Sequence, residues 1–351
     1  MPECDIYLLN LQHDTSAAAG RADGLPERHG ELLTFKTDTM QQIRDFGQLT
    51  EQLRAAGRRK RVAVVCPGDT HTEYVIRRAL EEHTADFLLV DGGADRWDVA
   101  SLARSYPGRV ELVRAADPDA AARQAVAMVR ECRADVLMKG CLNTDNLLRA
   151  VLDKQCGLLQ PGRVMSHVTA VQAPGYGKLL LATDVAVIPR PDLEQFDAML
   201  GYAVATARSL GTEAPRVALI HCTEKVSDRF PHTLSYEELK RRAIAGRYGA
   251  ASVDGPMDVR TACDAESAAV KGISSGVAGC ADVLVFPNIE AGNTFYKTVS
   301  FFGRASMAGM LCGTTVPVVL ASRADTGESK YNSLAMACLA GPGCGTITAQ
   351  S

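Results

Sequence analysis

The feature that most constrains the fold of this chain is a repeated alternation of short apolar segments with longer segments of helical spacing. Segments such as RVAVVC, DFLLV, VELV and ADVLM are four to six residues long, and patterns such as HTEYVIRRALEEH and DPDAAARQAVAMVREC separate them. This alternation is typical of βαβ units, in which each parallel strand is followed by a crossover helix. The sequence therefore predicts an α/β protein with a mainly parallel sheet.

The pattern changes in the middle of the chain. The segment SHVTAVQAPGYGKLLLATDVAVI, residues 166 to 188, indicates two strands around APGYGK, as in a hairpin, before the βα alternation resumes. A chain of 351 residues is also long for a single hydrophobic core, so we expect two domains. Residues 1 to 40 are largely polar and rich in small side chains, which predicts an N-terminal extension.

Composition excludes several classes of function. The net charge of −3 and the pI near 6.2 do not give the basic surface that a nucleic-acid-binding protein needs. The 11 cysteines contain no C-x-x-C pair, so they favour free thiols over a disulfide framework or a zinc site. No segment has the length and apolarity of a membrane span or a signal peptide. We therefore expect a cytoplasmic protein without a metal, a nucleic-acid partner or a membrane partner.

Polar side chains follow one predicted strand in the segment MKGCLNTDNLLRA. In open α/β sheets, ligands bind outside the carboxyl ends of the strands, where helix N-termini present polar groups. Lys139 ends the strand, and Asn143 or Thr144 could either cap the next helix or face a ligand. Arg149 lies on that helix.

Two further strand ends show the same pattern. Asp254 ends a predicted strand, with Gly255 and Pro256 expected to turn the chain away. The segment VFPNIEAGNTFYK concentrates too many polar and glycine residues for helix capping alone, and its candidates are Asn288, Glu290, Gly292, Asn293 and Lys297.

The last strand end is the segment PVVLASRADTGESK. A buried strand stops abruptly, and a hydroxyl, a guanidinium and two carboxylates follow on Ser322, Arg323, Asp325 and Glu328. Asp325 and Thr326 are also well placed to cap the helix that follows. Both a cap and a ligand site fit this segment.

Taken in order, these segments resemble the phosphate acetyl/butyryl transferase family, specifically its phosphate butyryltransferase branch. The resemblance covers residues 43 to 340 and is carried by ADVLMKG with LLRAVLDK, GRVMSHV, LLLATDVAV with PDLEQ, VDGP, ADVLVFPNIEAGNTFYK and VPVVLASRAD…ESKYNSLAMA. It implies two doubly wound α/β domains like those of isocitrate and isopropylmalate dehydrogenases, with the active-site cleft between them. Residues 41 to 160 and 308 to 351 would form the first domain, and residues 161 to 307 the second.

The resemblance also implies the activity. Members of the family are acyl-CoA:phosphate acyltransferases, which transfer a short acyl group reversibly between coenzyme A and inorganic phosphate by direct attack in a ternary complex. Coenzyme A is then a substrate or product, and no tightly bound cofactor is implied. The family further implies a homo-oligomer, at least a dimer.

The resemblance assigns roles to individual residues. Arg323 would bind phosphate and the developing oxyanion, and Ser322 would hydrogen-bond the thioester or thiol. Arg149 would be a second anchor for phosphate or coenzyme A. The remaining predicted substrate-binding residues are Lys139, Asn143, Thr144, Asn288, Glu290, Gly292, Asn293 and Lys297.

This chain departs from the family pattern at the expected proton acceptor. The acetyltransferase branch has an aspartate where this chain has Ser329. Asp325 or Glu328 would have to replace it, and we favour Asp325. Arg260 also stands where the family usually has an aspartate.

Two alternative functions remain open from the sequence. One is a catalytically impaired homologue that binds coenzyme A or acyl phosphate without turnover, which the changes at Ser329 and Arg260 would favour. The other is an oxidoreductase of the same broader fold, although the chain has neither an evident aspartate cluster nor G-x-G-x-x-G after a strand.

Overall fold

A computed structural model describes residues 41–93, 97–320 and 325–340 of the chain. The predicted extension at residues 1–40 lies outside these residues, and so do Ser322 and Arg323. Within the described part of the chain, no helix is both long and apolar enough to span a membrane.

The first half of the chain alternates strands and helices as the sequence predicts. Its elements are α1 (Phe46–Ala55), β1 (Lys60–Val65), α2 (Thr70–Glu81), β2 (Ala85–Asp91), α3 (Val99–Ser105), β3 (Val110–Arg114), α4 (Pro118–Arg130), β4 (Val136–Lys139) and α5 (Thr144–Val151).

The second half begins with two strands and then resumes the alternation. Its elements are β5 (Ser166–Gln172), β6 (Leu180–Thr183), α6 (Leu193–Ser209), β7 (Arg216–Ile220), α7 (Pro231–Ile244), β8 (Ser252–Met257), α8 (Val259–Cys263), α9 (Ala265–Val270), β9 (Val283–Val285), α10 (Ile289–Phe301), β10 (Ser306–Cys312), β11 (Val318–Val319) and α11 (Gly327–Leu339).

Aspartates define where several of these helices begin. The side chains of Asp45, Asp69 and Asp117 each accept a hydrogen bond from a backbone N–H in the first turn of α1, α2 and α4. Each cap satisfies a donor that would otherwise have no partner within the helix. In α4, Pro118 follows the cap, where its missing N–H costs no helical hydrogen bond.

The strands form one mixed sheet in the order β3-β2-β1-β4-β11-β10-β5-β6-β9-β7-β8. The strands β3, β2, β1, β4 and β11 are parallel to one another, and so are β6, β9, β7 and β8. Between these two parallel blocks, β10 and β5 pair antiparallel to each other and to their outer neighbours. The second block therefore runs opposite to the first.

Burial on both faces explains the continuous apolar runs of the parallel strands. In β1, the four consecutive residues from Val62 to Val65 are fully buried, because helices cover both faces of the sheet. The mainly parallel α/β architecture is thus confirmed. The division into domains at residues 160 and 308 stays a prediction.

Two finer predictions had opposite outcomes. The hairpin is confirmed, since β5 and β6 pair antiparallel on either side of the APGYGK segment. The turn at Gly255 and Pro256 is wrong, because β8 continues through both residues to Met257. A register irregularity between Ala218 and Ile220 of β7 lets the paired strand continue past this point.

Candidate active site

A cleft of about 470 Å³ opens at the carboxyl end of β4. The first parallel block contributes the end of β4, the start of α5 and Leu320 after β11. The antiparallel strands contribute His167 and Leu311, and the segment after β6 contributes two residues. The lining residues are Lys139, Leu142, Asn143, Thr144, Leu148, His167, Ala186, Val187, Leu311 and Leu320.

Lys139 is the cationic residue of this cleft wall, and it is held in place by the backbone. Its side chain is buried, and Nζ donates to the carbonyl oxygens of Leu142, at 3.0 Å, and Gly140, at 3.3 Å. Gly140 packs directly on the backbone of Cys66, where a Cβ atom would lie 2.2 Å from a carbonyl oxygen. A larger residue at position 140 would therefore displace the turn that positions the lysine.

The N-terminus of α5 lies beside Lys139. Asn143 is the N-cap residue, but its side chain does not accept the usual bond from the first turn. Asn143 and Thr144 both line the cleft. Because the first N–H groups of a helix point outward and carry partial positive charge, this end of α5 suits an anionic group.

His167 forms another part of the wall, and sequence reasoning gave it no role. It lies near the start of β5, is nine-tenths buried, and lines both the cleft and a smaller cavity. Its Nδ1 atom is buried and has no hydrogen-bond partner among the described residues. Burial lowers the pKa of His167, and the carboxylates of Asp184 and Asp325 only partly oppose this effect. The imidazole is therefore neutral at neutral pH.

Asp184 organises the segment that follows β6. It is almost fully buried and accepts hydrogen bonds from the Ser166 hydroxyl and from the backbone N–H groups of His167, Ala186 and Val187, at 2.7 to 2.9 Å. A buried carboxylate is tolerated when several donors compensate for lost hydration. Through these bonds Asp184 fixes the two segments that form one side of the cleft.

The N-terminus of α10 packs against this same segment. Asn288 caps the helix by accepting from the N–H of Ala291, and Asn293 Nδ2 donates to the carbonyl oxygen of Val185 at 2.9 Å. At Gly292, a Cβ atom would lie 2.2 Å from the Asp184 carbonyl oxygen, so only glycine allows this approach. In the structure these three predicted ligand-binding residues support the cleft segment.

Glu290 and Lys297 lie on the exposed side of α10. The Lys297 ammonium group lies 4.9 Å from the centroid of the Tyr296 ring. Neither residue lines the cleft.

A small cavity of about 30 Å³ shares the lining residues His167 and Leu320 with the cleft. Its lining includes Asp325, Ser329 and Ser333 from the start of α11 and the segment before it, together with His167, Tyr296, Met307, Ala308, Gly309 and Leu320. Both residues that flank the segment 321–324, Leu320 and Asp325, thus line the cavities beside His167.

Glu328 has a different environment from Asp325. Arg78 donates to its carboxylate at 2.6 Å, and the hydroxyl of Tyr74 donates at 3.0 Å. Thr326 caps α11, as expected. Glu328 therefore ties the first turn of α11 to α2 and does not line either cavity.

Arg149 points to another part of the surface. It is largely exposed, lies 4.0 Å from a carboxylate oxygen of Asp119, and lines a groove of about 580 Å³ between α4 and α5. Arg123 and Arg130 line the same groove. The structure thus separates Arg149 from Lys139, Asn143 and Thr144.

Within the described ranges, no group of three or more His, Cys, Asp or Glu residues could hold a metal ion.

The chain matches known proteins over most of its length. Residues 109–338 match the family model described as phosphate acetyl/butaryl transferase. A phosphate butyryltransferase of Clostridium beijerinckii is 36% identical over 296 residues, which cover 84% of this chain and 97% of that protein. A phosphate acetyltransferase of Rhizobium meliloti is 36% identical over 292 residues, which cover 82% of this chain and 92% of that protein.

Solved structures show the same relationship. The crystal structure of a branched-chain phosphotransacylase from Enterococcus faecalis superimposes with a TM-score of 0.70 at 30% identity, covering 80% of this chain and 98% of that one. A phosphotransacetylase from Streptococcus pyogenes has the same fold, with a TM-score of 0.71 at 19% identity and coverage of 84% and 98%. The chain belongs to the phosphate acetyl/butyryl transferase family.

Proposed function

We propose that this protein catalyses the reversible transfer of a short acyl group between coenzyme A and inorganic phosphate. Two relatives are named phosphate butyryltransferase and phosphate acetyltransferase, and both align with nearly their whole length. The observation that carries the proposal is the cleft, in which a buried lysine and a helix N-terminus lie on one wall and a neutral histidine on another.

The wall formed by Lys139 and α5 is the proposed phosphate side. The lysine gives an amine donor, and Asn143 and Thr144 give polar groups at the positive end of the helix. Donors of this kind, held in place before the reaction, stabilise an oxyanion by about 3 kcal/mol each.

Ser322 and Arg323 complete the proposed site. The residues on both sides of their segment line the cavities beside His167, which supports their assigned roles. Arg323 would bind phosphate through its planar guanidinium group, and Ser322 would hydrogen-bond the sulfur. Direct attack of phosphate on the thioester needs no covalent enzyme intermediate.

The two carboxylates differ in how well they suit the site. Asp325 lines the small cavity, whereas Glu328 is paired with Arg78. We therefore place Asp325 at the site and assign Glu328 to the contact between α11 and α2. Asn288, Gly292 and Asn293 act by holding the segment at Asp184 and Val185 in place.

The groove between α4 and α5 is the proposed anchor for the phosphates of coenzyme A. Its apolar lining and its three arginines, Arg123, Arg130 and Arg149, would contact the nucleotide and its phosphates, although Asp119, Glu131 and Asp153 line the same groove and offset part of the positive charge. Arg149→Ala should raise the KM for coenzyme A with less effect on kcat.

A cytoplasmic homo-oligomer is also part of the proposal. Gly292 is the one buried residue of α10, and Phe301 and Phe302 near its end are 77% and 79% exposed. Exposed aromatic pairs of this kind are typical of protein interfaces, and a second copy of the chain is the proposed partner.

One assay tests the proposed activity. Release of the coenzyme A thiol is followed for a series of acyl-CoAs with and without phosphate. Phosphate-dependent release with a short acyl chain is expected. Tight coenzyme A binding without phosphate-dependent release for any chain would instead indicate a binding protein that lacks turnover.

A further inference from the structure

His167 combines three properties that a structural histidine in a sheet does not need. It is nine-tenths buried, its Nδ1 atom has no hydrogen-bond partner among the described residues, and it lines both the cleft and the small cavity. A buried polar atom without a hydrogen-bond partner lowers the stability of the folded protein. A role in binding or catalysis would explain why the protein keeps it.

The surrounding residues make room for this ring. Gly309 on β10 lies directly against it, since a Cβ atom at that position would be 2.7 Å from Cε1 of His167. The backbone N–H of Gly309 donates to the Ser333 hydroxyl at 3.0 Å, which connects this point of β10 to α11. The imidazole therefore has a site shaped for it next to the ligand cleft.

The charged and titratable groups near the ring come from several elements. Lys139 at the end of β4 lines the same cleft, and Tyr296 of α10 and Asp325 before α11 line the small cavity. Asp184 after β6 accepts from the His167 backbone N–H at 2.9 Å. Burial keeps the imidazole neutral in the resting state, whereas the two carboxylates favour the imidazolium once it has gained a proton.

We propose that His167, and not Asp325 as the sequence favoured, is the proton acceptor for the coenzyme A thiol when acyl-CoA is made, and the proton donor to the leaving thiolate in the opposite direction. The inference rests on the proposed acyl transfer. As sulfur bonds to the acyl carbon, the thiol proton passes to the imidazole, and the bond from the acyl carbon to the phosphate oxygen breaks with its electron pair on phosphate. The imidazolium then returns the proton to phosphate or water.

The test compares His167→Asn with the wild type in the direction that consumes coenzyme A. Positioned general bases contribute about 10²- to 10⁴-fold, so kcat at pH 7 should fall at least about a hundredfold. The fraction of coenzyme A that arrives as thiolate rises about tenfold with each pH unit below the thiol pKa, so far less of the thiol depends on an acceptor at pH 9 than at pH 7. The deficit should therefore shrink to less than about tenfold at pH 9.

A second variant tests the position of the acceptor. Ser329 lines the small cavity together with His167, so Ser329→Asp places a carboxylate beside the missing imidazole. Adding it to His167→Asn should restore about tenfold of the lost rate at pH 7. His221→Asn is the matched control, because His221 is also buried with a lowered pKa but lies outside the cleft. Its kcat should stay within about threefold of the wild type.

The outcomes separate the two proposals. If the wild type shows no phosphate-dependent acyl transfer, both proposals are wrong. If the wild type is active and His167→Asn keeps kcat within threefold, or loses the same factor at pH 7 and pH 9, only the role of His167 is wrong. Melting temperatures are measured in parallel, and His167→Gln replaces His167→Asn if the shorter side chain prevents folding.

Discussion

The ion pair between Lys330 and Asp69 should be a main stabilising contact between α11 and α2. Lys330 lies in the first turn of α11 with its side chain 5% exposed, and Nζ lies 3.0 Å from Oδ1 of Asp69, the residue that caps α2. In Lys330→Met the carboxylate would lose its counterion while staying largely covered. Removing one partner of a buried pair costs about 3 to 5 kcal/mol.

The structure favours the lower end of this range. Asp69 keeps its hydrogen bonds from the N–H and hydroxyl of Thr72, and its side chain is 21% exposed. We therefore expect Lys330→Met to lower the free energy of unfolding by about 3 kcal/mol. This change in the free energy of unfolding is measured by urea titration, with circular dichroism as the signal. The exposed Lys225, replaced by Met, is the control and should change stability by less than about 0.5 kcal/mol.

A double mutant distinguishes loss of the pair from loss of packing. Asn at position 69 can still cap α2, and it leaves no charge without a counterion. Asp69→Asn combined with Lys330→Met should therefore be more stable than Lys330→Met alone, by about 1 kcal/mol or more. A loss below about 1 kcal/mol for Lys330→Met, or a double mutant that is less stable than the single one, would refute the reasoning.

Four other changes test different parts of the structure. Gly292→Ala should lower the melting temperature and the activity together, because its Cβ atom would overlap the Asp184 carbonyl oxygen. Asp184→Ala should destabilise the protein by about 3 kcal/mol or more in urea titration, since four donors lose their acceptor. Burial opposes the ionisation of Glu82, but hydrogen bonds from two arginines and a tyrosine lower its pKa from 4.5 to about 2. Its stabilisation is thus complete above about pH 4.5 and lost as the pH falls towards 2, so Glu82→Gln should flatten the pH dependence of the urea midpoint in that window. Phe301→Glu should shift the proposed oligomer towards monomer in light scattering, whereas unchanged mass would exclude this surface as the interface.

Local sequence signals were sufficient for most of the secondary structure. The helical spacing of DPDAAARQAVAMVREC predicted α4, and the apolar run before Lys139 predicted β4 with the lysine at its carboxyl end. These predictions succeed because capping and burial on both faces depend on residues that are close in the chain. The same reasoning placed Asn143 and Thr144 at the start of α5, where both line the cleft.

The predictions that failed or stayed open depend on distant residues. Gly255 and Pro256 suggest a turn locally, but the strand continues because β7 shifts its register beside them. The sequence favoured Asp325 over Glu328 without a contact to distinguish them, whereas the structure pairs Glu328 with Arg78 on α2 and places Asp325 in the lining of the small cavity. His167 lies in a run of β-branched residues, which by itself indicates only a buried strand.

The antiparallel strands explain why one residue of β5 can serve a site built from both halves of the sheet. Because β10 and β5 pair antiparallel, the two parallel blocks run in opposite directions on either side of them. The cleft nevertheless combines Lys139, which ends a strand of the first block, with Ala186, which follows β6, the first strand of the second block. His167 lies on the strand between these two ends, bonded through its own N–H to the carboxylate that fixes Ala186. A change at Asp184 should therefore affect both the imidazole and the opposite wall, whereas a change at Gly140 should affect only the wall that holds the lysine.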